Sequence, residues 1–342
     1  MLKKKLPSIS FITTTYNADL TLFKRSLDSI KMQKYPKNLL EHIVVDGGST
    51  NRTVAFAKKN NCRVIIRDDL TAEQEVRASI GIKAAKGDIY ALIQSDNILT
   101  TTDWLEKIVE PFLKDKNIFC TYSAYNSFED SMPITTRYCA LFGATDPAFY
   151  YLGKSEKIPI TQKKYNKGEI IDEYPNYYKV KFNTINLPTI GDNGHFIKRK
   201  VINKVNKSSK MYTHTDAIYE LVEMGYSDFG VVKNSIIHMA NPNILNLVKR
   251  RVEVKRKYSD ERRGKRKYLV FNWQSRADRI NLIKYILYSL SIILPIITSL
   301  KGYLKKRDTA WFLHPVICLL MTVGYGYSEA SFHLDRMLSH EK

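Results

Sequence analysis

The feature that most constrains the fold is a regular alternation, over the first hundred residues, of short β-branched apolar segments with amphipathic segments. Strands are predicted at residues 8–14, 43–45, 63–66 and 89–93. Helices are predicted at residues 18–33, from 53 to 59, and from a capping box at 71–74 through 85. Strands and helices that alternate at this spacing form βαβ units, so the sequence predicts an α/β fold with a mostly parallel sheet flanked by helices.

Polar residues follow three of these predicted strands. Tyr16 and Asn17 follow the first, Asp46-Gly-Gly-Ser-Thr follows the second, and Gln94-Ser95-Asp96 follows the fourth. The carboxyl ends of parallel strands meet at one edge of a sheet, where ligands bind. Asp46 is suited to accept hydrogen bonds from a ribose or a base. Asp96 is suited to hold a divalent ion that bridges two phosphates, so a nucleotide-diphosphate site is predicted.

Four stretches of the chain carry a family resemblance. They are "FITTTYNADLTLFKRSLDSIKMQKYPKNLLEHIVVDGGSTNRT", "GIKAAKGDIYALIQSDNIL", "GDNGHFIKRKV" and "HTDAIYELVEMGY". In this order and spacing they resemble the family 2 glycosyltransferases of the GT-A (Rossmann-like) fold, over about residues 8–240. The resemblance implies an inverting transfer of a sugar, such as a hexose, from a UDP- or GDP-linked donor.

The resemblance also implies roles for single residues. Tyr16, Asn17 and Asp46 match nucleotide-binding positions. Residues 94–96 lie where the family carries its Asp-x-Asp metal motif, which places Gln94 and Ser95 beside the nucleotide and Mn²⁺ or Mg²⁺ on Asp96. His238 matches a position where some of these enzymes have a further metal ligand. Asp216 matches the general base that deprotonates the acceptor hydroxyl.

The chain departs from the family pattern at three places. Gln94 replaces the first carboxylate of the metal motif, which lowers the expected metal affinity. Thr215 replaces the usual Glu before Asp216. Ser79 stands where many members have Asn, and Arg77 is one position from the common Arg. These departures bear on metal dependence more than on the fold.

Each of these residues also has a simpler interpretation. Asp46 could cap a turn, Asp96 and Asp216 could cap helices, and His238 could be an ordinary residue at a strand end. Asp192 and Asn193 lie in a glycine-flanked loop that either faces the donor sugar or acceptor or only forms a turn. His195 and His214 are expected not to be catalytic.

Residues 1–240 are predicted to form the catalytic domain. Its irregular, aromatic and basic stretch 127–190 is interpreted as an insertion on the acceptor side, with a plain surface loop as the alternative. A basic juxtamembrane region follows at 241–281, and two apolar membrane-associated helices with a tail complete the chain at 282–342. The apolar stretches 282–300 and 309–327 each have about the 20 residues that a bilayer span needs.

The arrangement of these two apolar stretches stays open at this point. They could both span the membrane, form a re-entrant hairpin kinked at Pro295 and Pro315, or lie in the membrane plane. Two buried core helices are the remaining alternative. Lys284, in the first stretch, can extend its amine to the interface in any membrane geometry.

Charge indicates the kind of partner. Lys and Arg number 54 against 34 acidic residues, which gives a formal net charge of +20, and the cations concentrate at 249–279 beside the apolar stretches. This placement favours an anionic or polyprenyl lipid and a membrane surface, and the absence of a nucleic-acid-binding motif argues against nucleic acid. Four scattered cysteines are typical of a reducing, cytosolic setting.

These observations predict a membrane-associated glycosyltransferase whose catalytic domain is cytoplasmic. Its acceptor is expected to be lipid-linked, either a polyprenyl phosphate or a lipid-linked glycan. One alternative is a transferase that extends surface polysaccharide or glycoprotein glycans and uses the apolar segments only as an anchor. Another is a non-catalytic nucleotide-sugar-binding subunit of a glycan assembly complex. The sequence specifies neither the donor sugar nor the oligomeric state.

Overall fold

The computed structural model describes residues 5–191, 193–206, 210–257 and 265–340. The chain divides into two compact units, Met1–Ser127 with Tyr165–His238, and Phe128–Lys164 with Met239–Lys342. These boundaries differ from the predicted regions within the stretch 127–190. Its first part belongs to the second unit, and its last part contributes two strands to the first unit.

The first unit is built on one mixed sheet of ten described strands. In chain order they are β1 Ile9–Thr15, β2 Leu40–Asp46, β3 Arg63–Ile66, β4 Ile89–Leu92, β5 Asn97–Leu99, β6 Cys120–Ser127, β7 Glu169–Glu173, β8 Tyr177–Lys181, β9 His195–Lys198 and β10 Asp228–His238. Their spatial order is β3-β2-β1-β4-β9-β6-β10-β8-β7, with β5 paired to β10. Strands β1 to β4 are parallel to one another, as predicted, whereas β9 runs antiparallel between β4 and β6.

The helices complete the two units. They are α1 Leu20–Lys31, α2 Thr53–Lys59, α3 Gln74–Ala84, α4 Trp104–Lys114, α5 Ile134–Phe142, α6 Pro147–Tyr151, α7 Arg199–Asn206, α8 His214–Glu223, α9 Ile244–Lys255, α10 Arg276–Ser291, α11 Ile293–Lys305 and α12 His314–His340. Asp19 fixes the start of α1 because its Oδ1 accepts from the backbone N–H groups of Thr21 and Leu22, at 2.8 and 3.1 Å.

The predicted capping box at residues 71–74 is wrong. Helix α3 begins only at Gln74, and its N-cap residue, Glu73, makes no capping side-chain hydrogen bond. The Thr71 hydroxyl donates instead to the carbonyl oxygens of Gly47, at 2.7 Å, and Asp68, at 3.0 Å. Thr71 therefore ties the loop after β2 to the segment before α3.

The core of the first unit packs α4 against the sheet. Trp104, Ile108 and Val109 on one face of α4 are fully buried and share a cluster with Phe11 of β1 and Phe196 of β9. The indole of Trp104 also donates to the Ser235 carbonyl oxygen of β10 at 2.7 Å. This packing fixes the positions of the strand ends that carry the candidate site.

The second unit is helical and is organised around Trp311 and His314. Trp311 is buried in a cluster with Tyr138, Phe142 and Met321. His314 is fully buried, and its ring nitrogens contact the hydroxyls of Tyr138 at 2.8 Å and Tyr288 at 2.9 Å.

Apolar stretch 282–300 is broken inside this unit. Helices α10 and α11 meet at an 85° bend, and Ile292 at the break has φ = 57°. The bend lies at neither proline, since Pro295 and Pro315 stand in the first turns of α11 and α12. A proline is tolerated there because those N–H groups have no partner within the helix. Among described residues, one helical segment, Thr309–Asp335, is long and apolar enough to cross a bilayer by itself.

Candidate active site

Asp46 organises the loop that follows β2. The side chain is fully buried, and its Oδ1 accepts from the backbone N–H groups of Gly48 at 3.0 Å and Ser49 at 2.7 Å. Its Oδ2 accepts from the hydroxyls of Thr15 at 2.7 Å and Ser49 at 2.6 Å. A carboxylate offers about four lone-pair sites; the loop occupies three of them and Thr15 of β1 the fourth. Asp46 therefore caps the turn, and its contact with a nucleotide stays a prediction.

Gly47 and Gly48 in this loop are each required for a different steric reason. Gly48 has φ = +82°, and a Cβ there would lie 2.8 Å from the Cβ of Asp68. A Cβ on Gly47 would lie 2.8 Å from Nη1 of Arg77, a buried side chain that donates to the Leu70 and Thr71 carbonyl oxygens. The groups that closely approach these two glycines are therefore Asp68 and Arg77 of this chain.

Asn17 joins the ends of β1 and β2. Its φ is 47°, a left-handed conformation that Asn tolerates. Its amide oxygen accepts from the backbone N–H groups of Thr50 at 2.9 Å and Asn51 at 3.2 Å, and its own N–H donates to Ser49 Oγ at 2.7 Å. The neighbouring Tyr16 leaves 47% of its surface exposed, so its ring is open to a ligand at this edge.

Residues 94–97 form a tight turn between β4 and β5. Asn97, 1% exposed, accepts from the Gln94 N–H with its amide oxygen at 3.0 Å and donates its own N–H to the Gln94 carbonyl at 3.1 Å. Its Nδ2 also donates to Asn193 Oδ1 at 3.2 Å. Gln94, Ser95 and Asp96 are half-buried on this turn. Asp96 does not cap the next helix, because Asp103 is the N-cap residue of α4.

Asp96 and His238 are brought together by strand pairing. His238, the last residue of β10, stands opposite Asn97 in the antiparallel pair of β5 and β10. Asp96 Oδ2 therefore lies 3.7 Å from His238 Nε2, and the two side chains are 31% and 26% exposed. Sequence reasoning proposed both residues as metal ligands, and nothing local in the sequence links them across the 142 positions that separate them.

The Asp96 and His238 pair fits a divalent ion of the kind that binds diphosphates. Among described residues there is no cluster of three or more His, Cys, Asp or Glu side chains around one point. Ions such as Mg²⁺ are commonly held by one or two carboxylates, with substrate phosphates and water in the other positions. The Asp96 carboxylate meets that requirement, and the His238 imidazole nitrogen beside it offers a second ligand; both side chains are partly exposed.

The loop before β9 reaches the same edge. Asn193 contacts the turn through Asn97, and the Gly194 N–H donates to the Leu92 carbonyl at 3.0 Å. Asp192, the other predicted residue of this loop, lies outside the described residues. His195 is buried, and its Nδ1 contacts the Gly191 carbonyl oxygen at 2.7 Å, which suits a structural role.

Asp216 lies in the first turn of α8. The N-cap residue of this helix is Thr213, so Asp216 is not the cap. Two residues before it, the His214 ring lies 6.3 Å from the ring of His195, which stands opposite Leu92 at the end of β4. The start of α8 therefore lies at the edge that carries Asp96. Asp216 is half-buried, and its role as a base stays a prediction.

Sequence reasoning missed two residues that hold this edge together. Thr15 binds Asp46, and Asn97 links Gln94 to Asn193. Thr15 is the last residue of a strand that is buried along almost its whole length. A buried hydroxyl needs a hydrogen-bond partner, and that was the available signal. Asn97 could have been found because an Asn in a sharp turn commonly bonds nearby backbone groups.

The chain matches a known protein family and a known structure. The model of the family described as "Glycosyl transferase family 2" matches residues 10–205, which is more than half of the chain. The fold is similar to that of the mannosyltransferase PcManGT from Pyrobaculum calidifontis, solved in complex with GDP-Man and Mn²⁺. The TM-score is 0.53 at 15% identity, over 94% of this chain and 88% of that one. The predicted GT-A fold is confirmed.

Two curated proteins match shorter parts of the chain. Polypeptide N-acetylgalactosaminyltransferase 8 of Drosophila melanogaster is 29% identical over 126 residues, which cover 34% of this chain and 20% of that protein. Glycosyltransferase AglE of Haloferax volcanii is 30% identical over 107 residues, 30% of this chain and 34% of that protein. The chain thus matches about a third or less of the length of these relatives.

Proposed function

Since this chain belongs to glycosyl transferase family 2, we propose that it transfers a sugar from a UDP- or GDP-linked donor to a lipid-linked acceptor, with inversion at the sugar carbon. The acceptor is a polyprenyl phosphate or a lipid-linked glycan at the cytoplasmic face of a membrane. The observation that carries the donor half of this proposal is the meeting of Asp96 and His238, 3.7 Å apart, beside the ordered loop of Asp46.

Different residues at the carboxyl edge of the sheet bind different parts of the donor. The ordered loop 46–51 and the exposed Tyr16 ring receive the nucleoside. Asp96 and His238 would hold the divalent ion, and Gln94 and Ser95 would line the wall beside the diphosphate. When bound, the ion neutralises charge on the diphosphate leaving group.

Transfer to a glycan hydroxyl needs one base. The acceptor hydroxyl of a lipid-linked glycan attacks the anomeric carbon from the face opposite the diphosphate and loses its proton to Asp216. The new bond joins acceptor oxygen to sugar carbon, and the broken bond joins that carbon to a phosphate oxygen. The electron pair leaves with the nucleoside diphosphate. Asp192 and Asn193, in the loop before β9, are proposed to face the sugar or the acceptor.

The lipid-linked acceptor is supported by the second unit. Seventeen of the 29 large hydrophobic side chains that are exposed in the described structure lie between Ile280 and Met337. The cations of the basic stretch 249–279 precede them in the chain. An enzyme with this composition works where apolar chains and anionic head groups are both present.

Donor binding is tested by the melting temperature of the detergent-purified chain against a panel of nucleotide sugars, with Mn²⁺ or with chelator. A donor at a hundred times its Kd should stabilise the folded state by about 2.7 kcal/mol. We expect chelator and Asp96→Asn each to abolish the shift. The matched control is Asp28→Asn on α1, whose carboxylate binds Lys24 at the surface. A shift that survives Asp96→Asn contradicts the metal site.

Turnover is tested separately. Asp216→Asn should lower the rate by about 10²- to 10⁴-fold, the contribution of a general base, and should leave the donor-induced shift in place. Wild-type binding of a donor without transfer to any lipid acceptor would favour the non-catalytic subunit instead. Equal activity on soluble sugars without lipid would contradict the lipid-linked acceptor.

A further inference from the structure

Helix α10 is amphipathic, but its faces are reversed compared with a helix on the surface of a soluble protein. Its fully buried side chains are Asp278, Tyr285 and Ser289. Its exposed side chains include large aliphatic residues on one stripe, spaced three and four apart: Ile280, Ile283, Leu287 and Leu290. Leu287 leaves 65% of its surface exposed. The polar and small residues therefore face the protein, and the aliphatic residues face away from it.

Helix α11 repeats this inverted pattern beyond the bend. Its buried residues are Pro295, Ser299 and Gly302, and Trp311 packs so closely on Gly302 that any Cβ there would overlap its ring. Its outward stripe consists of Ile293, Ile296, Ile297, Leu300 and Leu304. We call α10 and α11, with the bend at Ile292, the apolar elbow.

We propose that the apolar elbow inserts into one leaflet of an anionic bilayer and does not cross the bilayer. Both of its ends then stay on the cytoplasmic face. The proposal rests on the membrane association in the proposed function, and it does not depend on the sugar-transfer reaction.

Charge complementarity identifies the occupant of this face as lipid. Exposed cations stand at both ends of the elbow: Arg276, Arg279, Lys301, Lys305, Lys306 and Arg307. Lys284 is exposed on α10 within the aliphatic stripe. A lysine in a helix that lies in the interface extends its amine to the head groups, whereas at the centre of a span it is costly. Apolar residues that enter a leaflet, bordered by cations, match an anionic membrane surface.

The elbow is too short to cross the membrane. The apolar parts, residues 280–291 and 293–300, are about 18 and about 12 Å long at 1.5 Å per residue. Since they meet at 85°, their far ends are about 22 Å apart, less than the roughly 30 Å hydrocarbon core. A surface helix pair of this size fits within one leaflet.

Helix α12 does not supply a span in its place. It packs along α9, whose exposed residues include Lys249 and Arg250. A Cβ on Gly324 would lie 2.9 Å from Val252 of α9, and one turn further Lys255 pairs with Glu329 at 2.8 Å. Because α12 packs along α9, it could enter the hydrocarbon core only together with the charged residues of α9, and burying those charges there is costly.

The first test is flotation of the full chain with vesicles of phosphatidylcholine alone or mixed equally with phosphatidylglycerol. We expect binding to the anionic vesicles, and at least a tenfold loss of bound fraction in the double variant Leu287→Glu with Ile297→Glu. The control is Leu245→Glu on α9, which is 66% exposed in the same unit. The cooperative thermal unfolding transition, measured without donor, must persist in all variants, which shows that they fold and separates this test from the proposed function.

Two outcomes of flotation overturn the proposal. One is a double variant that binds vesicles like the wild type. The other is a wild-type chain that does not bind vesicles but forms a dimer that the double variant does not form. The aliphatic face of the elbow would then pack against a second copy of the chain.

The second test establishes sidedness. The four native cysteines are buried, so single cysteines placed by Gln274→Cys and Arg307→Cys report the two ends of the elbow. A membrane-impermeant maleimide is applied to right-side-out and inside-out membrane vesicles. We expect both positions to react in the inside-out vesicles and neither in the right-side-out ones. Reaction of the two positions in opposite preparations means that the elbow crosses the membrane, and overturns the proposal.

Discussion

Helices α4 and α11 carry similar aliphatic stripes and turn them in opposite directions. In α4 the stripe faces the sheet, and Trp104, Leu105 and Ile108 are at most 1% exposed. In α11 the stripe faces outward, and Ile293 is 67% exposed and Leu304 70%. The buried side of α11 is made of Pro295, Ser299 and Gly302, on which the Trp311 ring packs.

This difference shows what a stripe of apolar residues can and cannot tell. Periodicity predicts that one side of a helix avoids water, and α4 and α11 both satisfy that condition. It does not say whether a protein core or a lipid provides the dry surroundings. The residues on the other face decide: charged residues predict a soluble helix, whereas small ones permit close packing of the opposite side against protein.

The largest expected effect compares equivalent truncations in the two helices. Ile108→Ala in α4 should lower the free energy of unfolding by about 2–5 kcal/mol, because it removes buried methyl groups and leaves a cavity. Ile293→Ala in α11 should change it by less than about 0.5 kcal/mol in detergent, since 67% of this residue's surface is exposed. Chemical denaturation of the two variants measures both. Equal losses would mean that the elbow face is covered by protein.

The next effect is destabilisation of the sheet unit by acid, because this unit shields a titratable ring. Burial lowers the pKa of His42 from 6.5 to about 4, and its Nε2 contacts Thr13 Oγ1 at 2.9 Å. The unfolded chain binds a proton at this ring below pH 6.5 while the folded chain does not. The contribution is therefore complete above pH 6.5 and is lost as the pH falls towards 4, by up to about 3 kcal/mol.

The His42 effect is measured by denaturation of the wild type and His42→Gln between pH 4 and 7. We expect the variant to have the shallower pH dependence. Parallel curves would place the acid sensitivity elsewhere in the chain.

The smallest of the three effects concerns the loop of Asp46. Gly48→Ala should cost about 1–3 kcal/mol, because φ = +82° strains any L side chain and the new Cβ meets Asp68. Gly225→Ala is the matched control in the same unit, with φ = +91° and open space around the new Cβ. It should show the strain alone, about 1 kcal/mol. If both variants lose the same stability, contact with Asp68 does not hold this loop.

Much of the sheet was predictable from local pattern. The four predicted strands of the first hundred residues are present, with β3 at the predicted residues, because parallel strands that are buried on both faces leave a clear run of β-branched apolar residues. Element ends were less predictable. Helix α3 starts three residues after Thr71, the first residue of the predicted capping box, since Thr71 bonds the Gly47 carbonyl across the fold. A bond between distant segments leaves no local signature.

The site divides in the same way. The motif residues Asp46 and Asp96 were found from the strand ends that precede them, and the family resemblance placed His238 beside the metal. Only the pairing of β5 with β10 shows that Asp96 and His238 are neighbours. Similarly, only the packing around Asp46 shows that its four hydrogen bonds are satisfied by the loop and by Thr15 of β1.

The sequence by itself determined the family, the order of the strands along the chain, the residues at their carboxyl ends and the apolar character of the stretch 282–300. Those properties depend on residue type and spacing within one segment. The tertiary structure decided which strand ends meet, that Asp46 serves its own loop, and that the stretch bends at Ile292 with its aliphatic side outward. These three features depend on contacts between segments that are far apart in the chain. Such segments compete for the same surfaces, so the contacts that form are determined only when the whole chain packs together.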